Sequence, residues 1–321
     1  ASRAARLVAR RGLMRLGVLR NPASTGNRGR PAPPLPEGCV RVETAGPADC
    51  PDALARLAAA GAEAVVIDGG DGTVRTALTH LEAAFGHAVP IAILAHGNTN
   101  LVARKLGALC PDDLRRLAAL APAEAATSAR TAPVMRVAFE DGRAPLAGFI
   151  AGWAAYATGT RVAAREIAAR HRLQVLGGVL ATLRRSLSGP EAARLRRGVA
   201  LAIAADGAPL PPGPRFLGIA TVLEGRLVPP LEPFWGGGRG GLRYLDIAAP
   251  PRRLALAAPF VATGRPLRWM RAAGYRSARA HSLTLTPGED AELVLDGDPV
   301  PLRARGTVTL SARDRITVLR A

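Results

Sequence analysis

Apolar residues in the first part of the chain fall into short dense runs separated by longer stretches of helical spacing. Leu16 to Leu19, Ala64 to Ile67 and Pro90 to Leu94 are almost unbroken, the pattern of strands covered on both faces. Val40-Arg41-Val42-Glu43-Thr44 alternates and reads as a second strand. Between these runs the period changes. Asp49 or Cys50 caps a helix with Pro51 at its first position, and Gly61 stops it. From Thr73 to Phe85, Val74, Ala77, Leu78, Leu81 and Phe85 share one helical face. Further helices are expected over Thr99 to Leu106 and Asp112 to Leu120, and residues 30–37 form a proline-rich loop. Strands alternating with helices imply a parallel sheet with crossover connections.

The pattern changes after about residue 130. Strands are expected at Val134 to Glu140, Leu146 to Ala151, Val199 to Ala205, Phe216 to Leu223 and Leu242 to Ile247. More follow at Ser277 to Thr286, Ala291 to Leu295, Gly306 to Ser311 and Arg315 to Leu319. Short strands broken by Gly and Pro turns predict a β-sandwich-like domain. A helical insertion is expected between Arg161 and Arg197, and helices over Pro251 to Ala262 and Pro266 to Ala273. The expected division is residues 1–130, then 131–305, then a C-terminal piece at 306–321.

Composition adds limits. A length of 321 residues favours two domains, and 48% apolar residues can fill their cores. The longest apolar candidate, Val175 to Leu183, is far below the ~20 residues of a membrane span. The arginine-bearing N-terminus lacks a continuous apolar segment, so a secretory signal is not expected, and Met14 is a candidate natural start. Cys39, Cys50 and Cys110 have no zinc-like spacing and make an odd set, which favours a reducing cytoplasm. The net charge of +18 favours anionic partners. Lys105 is the only lysine, and the heavy Ala, Arg, Gly and Pro usage points to GC-rich coding, so part of that charge is mutational.

Against this background asparagine stands out. It occurs only at 21, 27, 98 and 100, always in a short glycine-containing loop after an expected strand. The ends of parallel strands are where ligands gather. Asn21, Thr44, Gly69 to Thr73 and Gly97 to Asn100 would all lie at that edge. Gly69-Gly70-Asp71-Gly72-Thr73 joins a strand to a helix. Its glycines let backbone N–H groups approach a phosphate, and the helix adds its positive end. The loop lacks the Gly-Lys-Ser/Thr ending of a P-loop. His96 beside the second loop reads as a surface or capping residue. Asp296-Gly297 has two readings, a hairpin turn and a carboxylate projecting from a strand end.

Four segments together resemble the diacylglycerol kinase catalytic-domain superfamily, in particular the bacterial soluble lipid kinases, which also resemble sphingosine kinases. They are Asn21-Pro22-Ala23-Ser24, Gly69-Gly70-Asp71-Gly72-Thr73, Gly97 to Arg104, and Leu295-Asp296-Gly297-Asp298, in the family's order. The stretch Leu242 to Leu254 also resembles the family's C-terminal domain. The resemblance implies an α/β fold. A Rossmann-like three-layer domain is followed by a β-sandwich-like one, nucleotide lies in the cleft between them, and the last strands return to the first.

The resemblance further implies ATP with Mg²⁺ as donor and a lipid hydroxyl as acceptor. Asp296 would be the general base, since a hydroxyl needs a proton acceptor during transfer. Asp298 would orient Mg²⁺ or Asp296, and Asp71 would act near the phosphates through metal or water. Nucleotide contacts fall to Asn21, Thr44, Gly69, Gly70, Asp71, Gly72, Thr73, Gly97, Asn98 and Asn100. The chain departs from the family at Asn98, where threonine is usual, and at Thr76, where glutamate is frequent. Phe234 to Gly241 carries no acid, so the structural metal of some relatives is not expected.

A lipid acceptor calls for peripheral docking at the inner membrane face, with anionic lipids as partners. The apolar and basic residues Leu173, Val175, Leu176, Leu180, Leu183, Arg184 and Arg185 either dock there or cover the core. No specific nucleic acid is expected, and a homodimer is left open. Two other readings are an NAD kinase-like enzyme, whose family shares the Gly-Gly-Asp-Gly loop, and a lipid-binding homologue without catalysis.

Overall fold

The computed structural model describes residues 14–97, 100–166, 192–227 and 231–320. The chain forms two compact units, Ala1–Ala132 with Arg315–Ala321, and Pro133–Asp314.

In the first unit the chain runs through β1 (Leu16–Arg20), β2 (Val40–Glu43), α1 (Cys50–Ala59), β3 (Ala64–Gly69), α2 (Asp71–Phe85) and β4 (Ile91–Ala95). It continues through α3 (Leu101–Leu106), β5 (Ala108–Leu109), α4 (Asp113–Ala119) and α5 (Pro122–Ser128). The strands are parallel, in the order β2-β1-β3-β4, with β5 beside β4. Alternation of side chains gives each sheet face its own cover. Leu16, Val18, Ala64, Val66, Ala92 and Leu94 pack with Leu114, Leu117 and Ala118 of α4 and Ala125 of α5. The other face meets α1 and α2, which bury Leu54, Leu57, Val74 and Ala77. This is a three-layer α/β arrangement. Gly17 permits a close approach, because a Cβ there would lie 2.8 Å from the Ala62 Cβ.

The second unit begins within β6 (Arg130–Phe139), followed by β7 (Leu146–Gly148), β8 (Ile150–Ala154), α6 (Ala155–Glu166) and α7 (Ala192–Arg197). Next come β9 (Leu201–Ala205), β10 (Ala208–Pro209), β11 (Arg215–Thr221), β12 (Leu242–Ala248), α8 (Leu254–Thr263) and α9 (Arg268–Ala272). The chain ends with β13 (Tyr275–Ala280), β14 (Ser282–Pro287), β15 (Ala291–Leu295), β16 (Asp298–Leu302) and β17 (Val308–Val318). One antiparallel sheet has the order β13-β12-β11-β8-β15-β16, and β10-β9-β14-β17 belong to another. The end of β17 belongs to the first unit, where Val318 pairs in parallel with Ile91 and the Leu319 N–H donates to the Ile91 carbonyl at 2.7 Å.

Four expected elements are corrected. Leu146 to Ala151 is two strands, because the chain changes sheets at Phe149. Ser277 to Thr286 also divides between sheets. The Asp206 carboxylate holds that corner by accepting the His281 and Ser282 N–H groups, both at 2.8 Å. Conversely, the two expected C-terminal strands are one, since the polar Ser311 to Asp314 stretch carries on in extended form. Most of the expected insertion, residues 167–191, lies outside the described residues, and so do Leu173, Val175, Leu176, Leu180, Leu183, Arg184 and Arg185. Among the described residues no helix is long and apolar enough to cross a membrane.

Candidate functional site

The carboxyl ends of β1, β3 and β4 carry three loops that are hydrogen-bonded to one another. The chain turns after β1 because the Asn21 Oδ1 accepts the Ala23 N–H at 3.0 Å, an Asx turn. The Asn21 amide then donates to the Thr73 Oγ1 at 3.0 Å, tying the first loop to the second. Thr44, buried after β2, donates its hydroxyl to the Gly46 carbonyl at 2.6 Å. Both side chains thus shape loops from within.

The glycine loop opens α2, a helix of 15 residues. Gly70 is its N-cap, and Asp71, Gly72 and Thr73 occupy its first turn. Backbone N–H groups in a first turn have no carbonyl inside the helix to receive them. They and the helix dipole form an environment suited to anions. Gly69 is required by Thr73, whose Oγ1 would lie 2.6 Å from an added Cβ. Gly97 faces Gly70 backbone to backbone, and its Cβ would come 2.5 Å from the Gly70 Cα. The two glycine loops therefore touch only because both lack side chains.

Asp71 does not point outward from this turn. Its Oδ2 accepts the Leu101 N–H at 2.8 Å and its Oδ1 the Val102 N–H at 3.2 Å, so it caps α3. Burial raises its pKa, against the lowering effect of those N–H groups and of Arg104. Asn100 sits in the left-handed region at φ 47°. Its Oδ1 accepts the Gly97 N–H at 2.7 Å and its amide donates to the Gly97 carbonyl at 2.8 Å, closing its own loop. Asn98 lies outside the described residues.

Beneath the loops is a buried polar cluster that sequence reasoning missed. Asp68, at the end of β3, is 1% exposed in its side chain. Its Oδ1 lies 2.6 Å from the His96 Nδ1 and accepts the Asn27 amide at 2.8 Å. Its Oδ2 lies 3.4 Å from the Nε of Arg20, which also pairs with Glu43 at 2.8 Å. His96 is thus a hydrogen-bond partner of the buried Asp68 rather than a surface or capping residue. Its backbone carbonyl accepts the Gly26 N–H at 2.7 Å, which fastens the first loop to the third. A charge ending the apolar run Val65-Val66-Ile67 was the available signal.

In the second unit Asp296 and Gly297 form the two-residue turn between β15 and β16, both at positive φ, 50° and 100°. The turn reading of Asp-Gly therefore holds, and the carboxylate has a further task. It accepts the Phe149 N–H at 2.9 Å through Oδ2 and the Ile150 N–H at 2.8 Å through Oδ1. Asp296 so pins the point where the chain leaves β7 and enters β8. Burial and the Asp296 charge push the Tyr156 hydroxyl up to about 12, keeping it protonated. Asp298 is exposed at the start of β16.

Among the described residues no three His, Cys, Asp or Glu side chains gather in a way that could hold a metal ion. Asp71 and Asp298 are not parts of such a group.

Residues 15–134 match the family model described as Diacylglycerol kinase catalytic domain. This supports kinase-type chemistry of a lipid kinase family. No curated protein matches the chain. Three solved structures, all from Bacillus anthracis str. Sterne, have the same fold. One, described as a diacylglycerol kinase, is 14% identical with a TM-score of 0.59, and the match covers 96% of this chain and 97% of that one. Two others are described provisionally as diacylglycerol kinases. The first is 16% identical with a TM-score of 0.60 over 96% of this chain and 97% of that one. The second is 14% identical with a TM-score of 0.63 over 96% and 98%. At these identities the likeness is one of fold.

Proposed function

We propose that the protein is an ATP-dependent lipid kinase that transfers the γ-phosphoryl group to a hydroxyl of a diacylglycerol-like or sphingoid lipid. The observation that carries this reading is the Gly69–Thr73 loop at the start of α2, braced by Asn21 and Gly97. A nucleotide's phosphates are polyanions, and a glycine-lined helix start offers them unsatisfied N–H groups and a positive dipole. The bracing fixes the donors in advance, so little ordering is needed on binding.

Phosphoryl transfer is mostly positioning and charge stabilisation, plus removal of one proton from the attacking hydroxyl. The proton goes to Asp296 in this reading, because its carboxylate orientation is already fixed by the Phe149 and Ile150 N–H groups. Asp298, two residues on, supplies a second negative charge near that base. Mg²⁺ would arrive with ATP, coordinated largely by phosphate oxygens and water. The protein acts at a membrane surface because its acceptor resides there.

Transfer of labelled phosphate from ATP to a panel of diacylglycerol, monoacylglycerol, sphingosine, ceramide and NAD tests the proposal. Labelling of one lipid class is the expected result. Labelling of NAD alone would replace it with the NAD kinase reading, and labelling of none would leave a lipid-binding homologue.

A further inference from the structure

α8 is a helix without a single charged residue, Leu254-Ala255-Leu256-Ala257-Ala258-Pro259-Phe260-Val261-Ala262-Thr263. It buries Leu254 and Ala257 against its own unit and leaves Ala255, Leu256 and Pro259 exposed. Leu256 is 51% exposed, the one large hydrophobic residue so placed among the described residues. An apolar helix partly turned to water calls for an explanation when charged residues flank it at both ends.

Arg252 and Arg253 precede the helix, and Arg265, Arg268 and Arg271 follow it, all exposed. Among the described residues none of the five is in an ion pair. From Ile247 to Gly288 the chain contains no Asp or Glu at all. The acid packed against the end of α8 is Glu232, whose N–H donates to the Ala262 carbonyl and whose carboxylate is 2.7 Å from Arg243. It therefore does not neutralise the rim. Trp269, half-buried on α9, lies under the Arg253 guanidinium at 5.6 Å and meets the Tyr275 ring edge-on at 6.1 Å. This stacking holds α8 and α9 together as one surface.

We infer that α8 and α9 form a docking face for an anionic lipid bilayer, with Leu256, Ala255 and Pro259 entering the headgroup boundary and the five arginines binding acidic headgroups. An apolar centre with a cationic rim and an aromatic at its edge is the chemistry of an interfacial helix. A protein partner would have to be acidic and apolar at once. A second copy of this chain would bring arginines against arginines. Charge complementarity therefore selects the bilayer. The inference rests on the lipid-kinase reading for its purpose, but not for its test.

The test is co-sedimentation of the full chain, without ATP or acceptor, with vesicles of phosphatidylcholine alone and of phosphatidylcholine with phosphatidylglycerol. Wild type is expected to bind the mixed vesicles and to lose binding with added salt. Leu256→Asp should weaken binding about ten-fold, because it removes the exposed apolar side chain that would enter the bilayer and adds a repelled charge. The triple variant Arg265→Ser, Arg268→Ser, Arg271→Ser should weaken it about a hundred-fold while leaving the melting temperature unchanged. Unchanged binding by both variants, or no binding by wild type at low salt, overturns the inference. So does a shift from dimer to monomer in Leu256→Asp with vesicle binding intact, which would make the face a self-association surface. Since no phosphoryl transfer is measured, failure here is separate from failure of the kinase reading.

Discussion

The Asp71 Oδ2 accepts the Leu101 N–H at 2.8 Å, so the first residue of α2 caps the first residue of α3. The acid in the glycine loop is thereby a joint between the two loops proposed to hold nucleotide. An outward-pointing phosphate or metal contact would require it to give up that joint.

Asp71→Ala should consequently act on structure before chemistry. Losing a cap that serves two N–H groups costs about 1–2 kcal/mol. Faster amide exchange at Leu101 and Val102 should accompany it, with the β1 and β3 amides unchanged. If exchange at 101 and 102 matches wild type while activity falls, the cap does not explain the residue and a direct contact with the phosphates does.

The meeting of Gly97 with Gly70 makes a separate claim about tolerance. Gly97→Ala would place a Cβ 2.5 Å from a backbone carbon that has no flexible end to yield. The loops must part, at a cost of about 3 kcal/mol or more. Gly46→Ala provides the contrast, since Gly46 has extended backbone at φ −178° and nothing within 4 Å of an added Cβ. Urea unfolding should show Gly46→Ala near wild type and Gly97→Ala far below it. Equal midpoints would mean that the loops do not meet as described.

Much of this was legible in the sequence, and the failures share a cause. Unbroken runs such as Val65-Val66-Ile67 identify buried parallel strands because burial on both faces leaves no alternation. The glycine loops were legible because few residue types fit them. Sheet changes at Phe149 and His281 were not, because each depends on a distant carboxylate, Asp296 or Asp206, taking the backbone N–H groups at the corner. For the same reason the side-chain bonds with which Asn100 and Thr44 close their own loops were not legible either. Periodicity reports which face is dry; it carries no record of which polar group answers which.

The buried pair Arg215 and Asp246 predicts a pH effect. Arg215 lies 3.1 Å from Asp246, and their side chains are 1% and 0% exposed. Arg215 and Arg276 favour the carboxylate, but burial outweighs them and pushes the Asp246 pKa up to about 6 from 3.8. An acid bound more tightly to its proton in the native state contributes full stability below its unfolded pKa. That contribution fades as the pH rises from about 4 through about 6. Asp246→Asn removes the titration and keeps an acceptor for Arg215. The melting temperature of wild type relative to Asp246→Asn should therefore fall between pH 4.5 and 7.5, by the equivalent of about 2 kcal/mol. Parallel pH curves for the two proteins would show that Asp246 is ionised throughout.

Asp296→Asn separates the two tasks of the turn residue. Asparagine tolerates the left-handed backbone at φ 50°, and its carbonyl can still accept the Ile150 N–H. Its amide, however, replaces the Oδ2 that accepts from Phe149 at 2.9 Å and leaves that N–H only the Oδ1 at 3.1 Å, a loss of about 1 kcal/mol. Stability should thus drop modestly, whereas lipid phosphorylation should fall by about a hundred-fold or more, because an amide cannot take the proton of the attacking hydroxyl. Asp296→Ala adds backbone strain and removes both acceptors, so its larger loss of stability gauges the structural part alone. Full turnover in Asp296→Asn would leave the carboxylate as a sheet-corner fastener and move the base elsewhere.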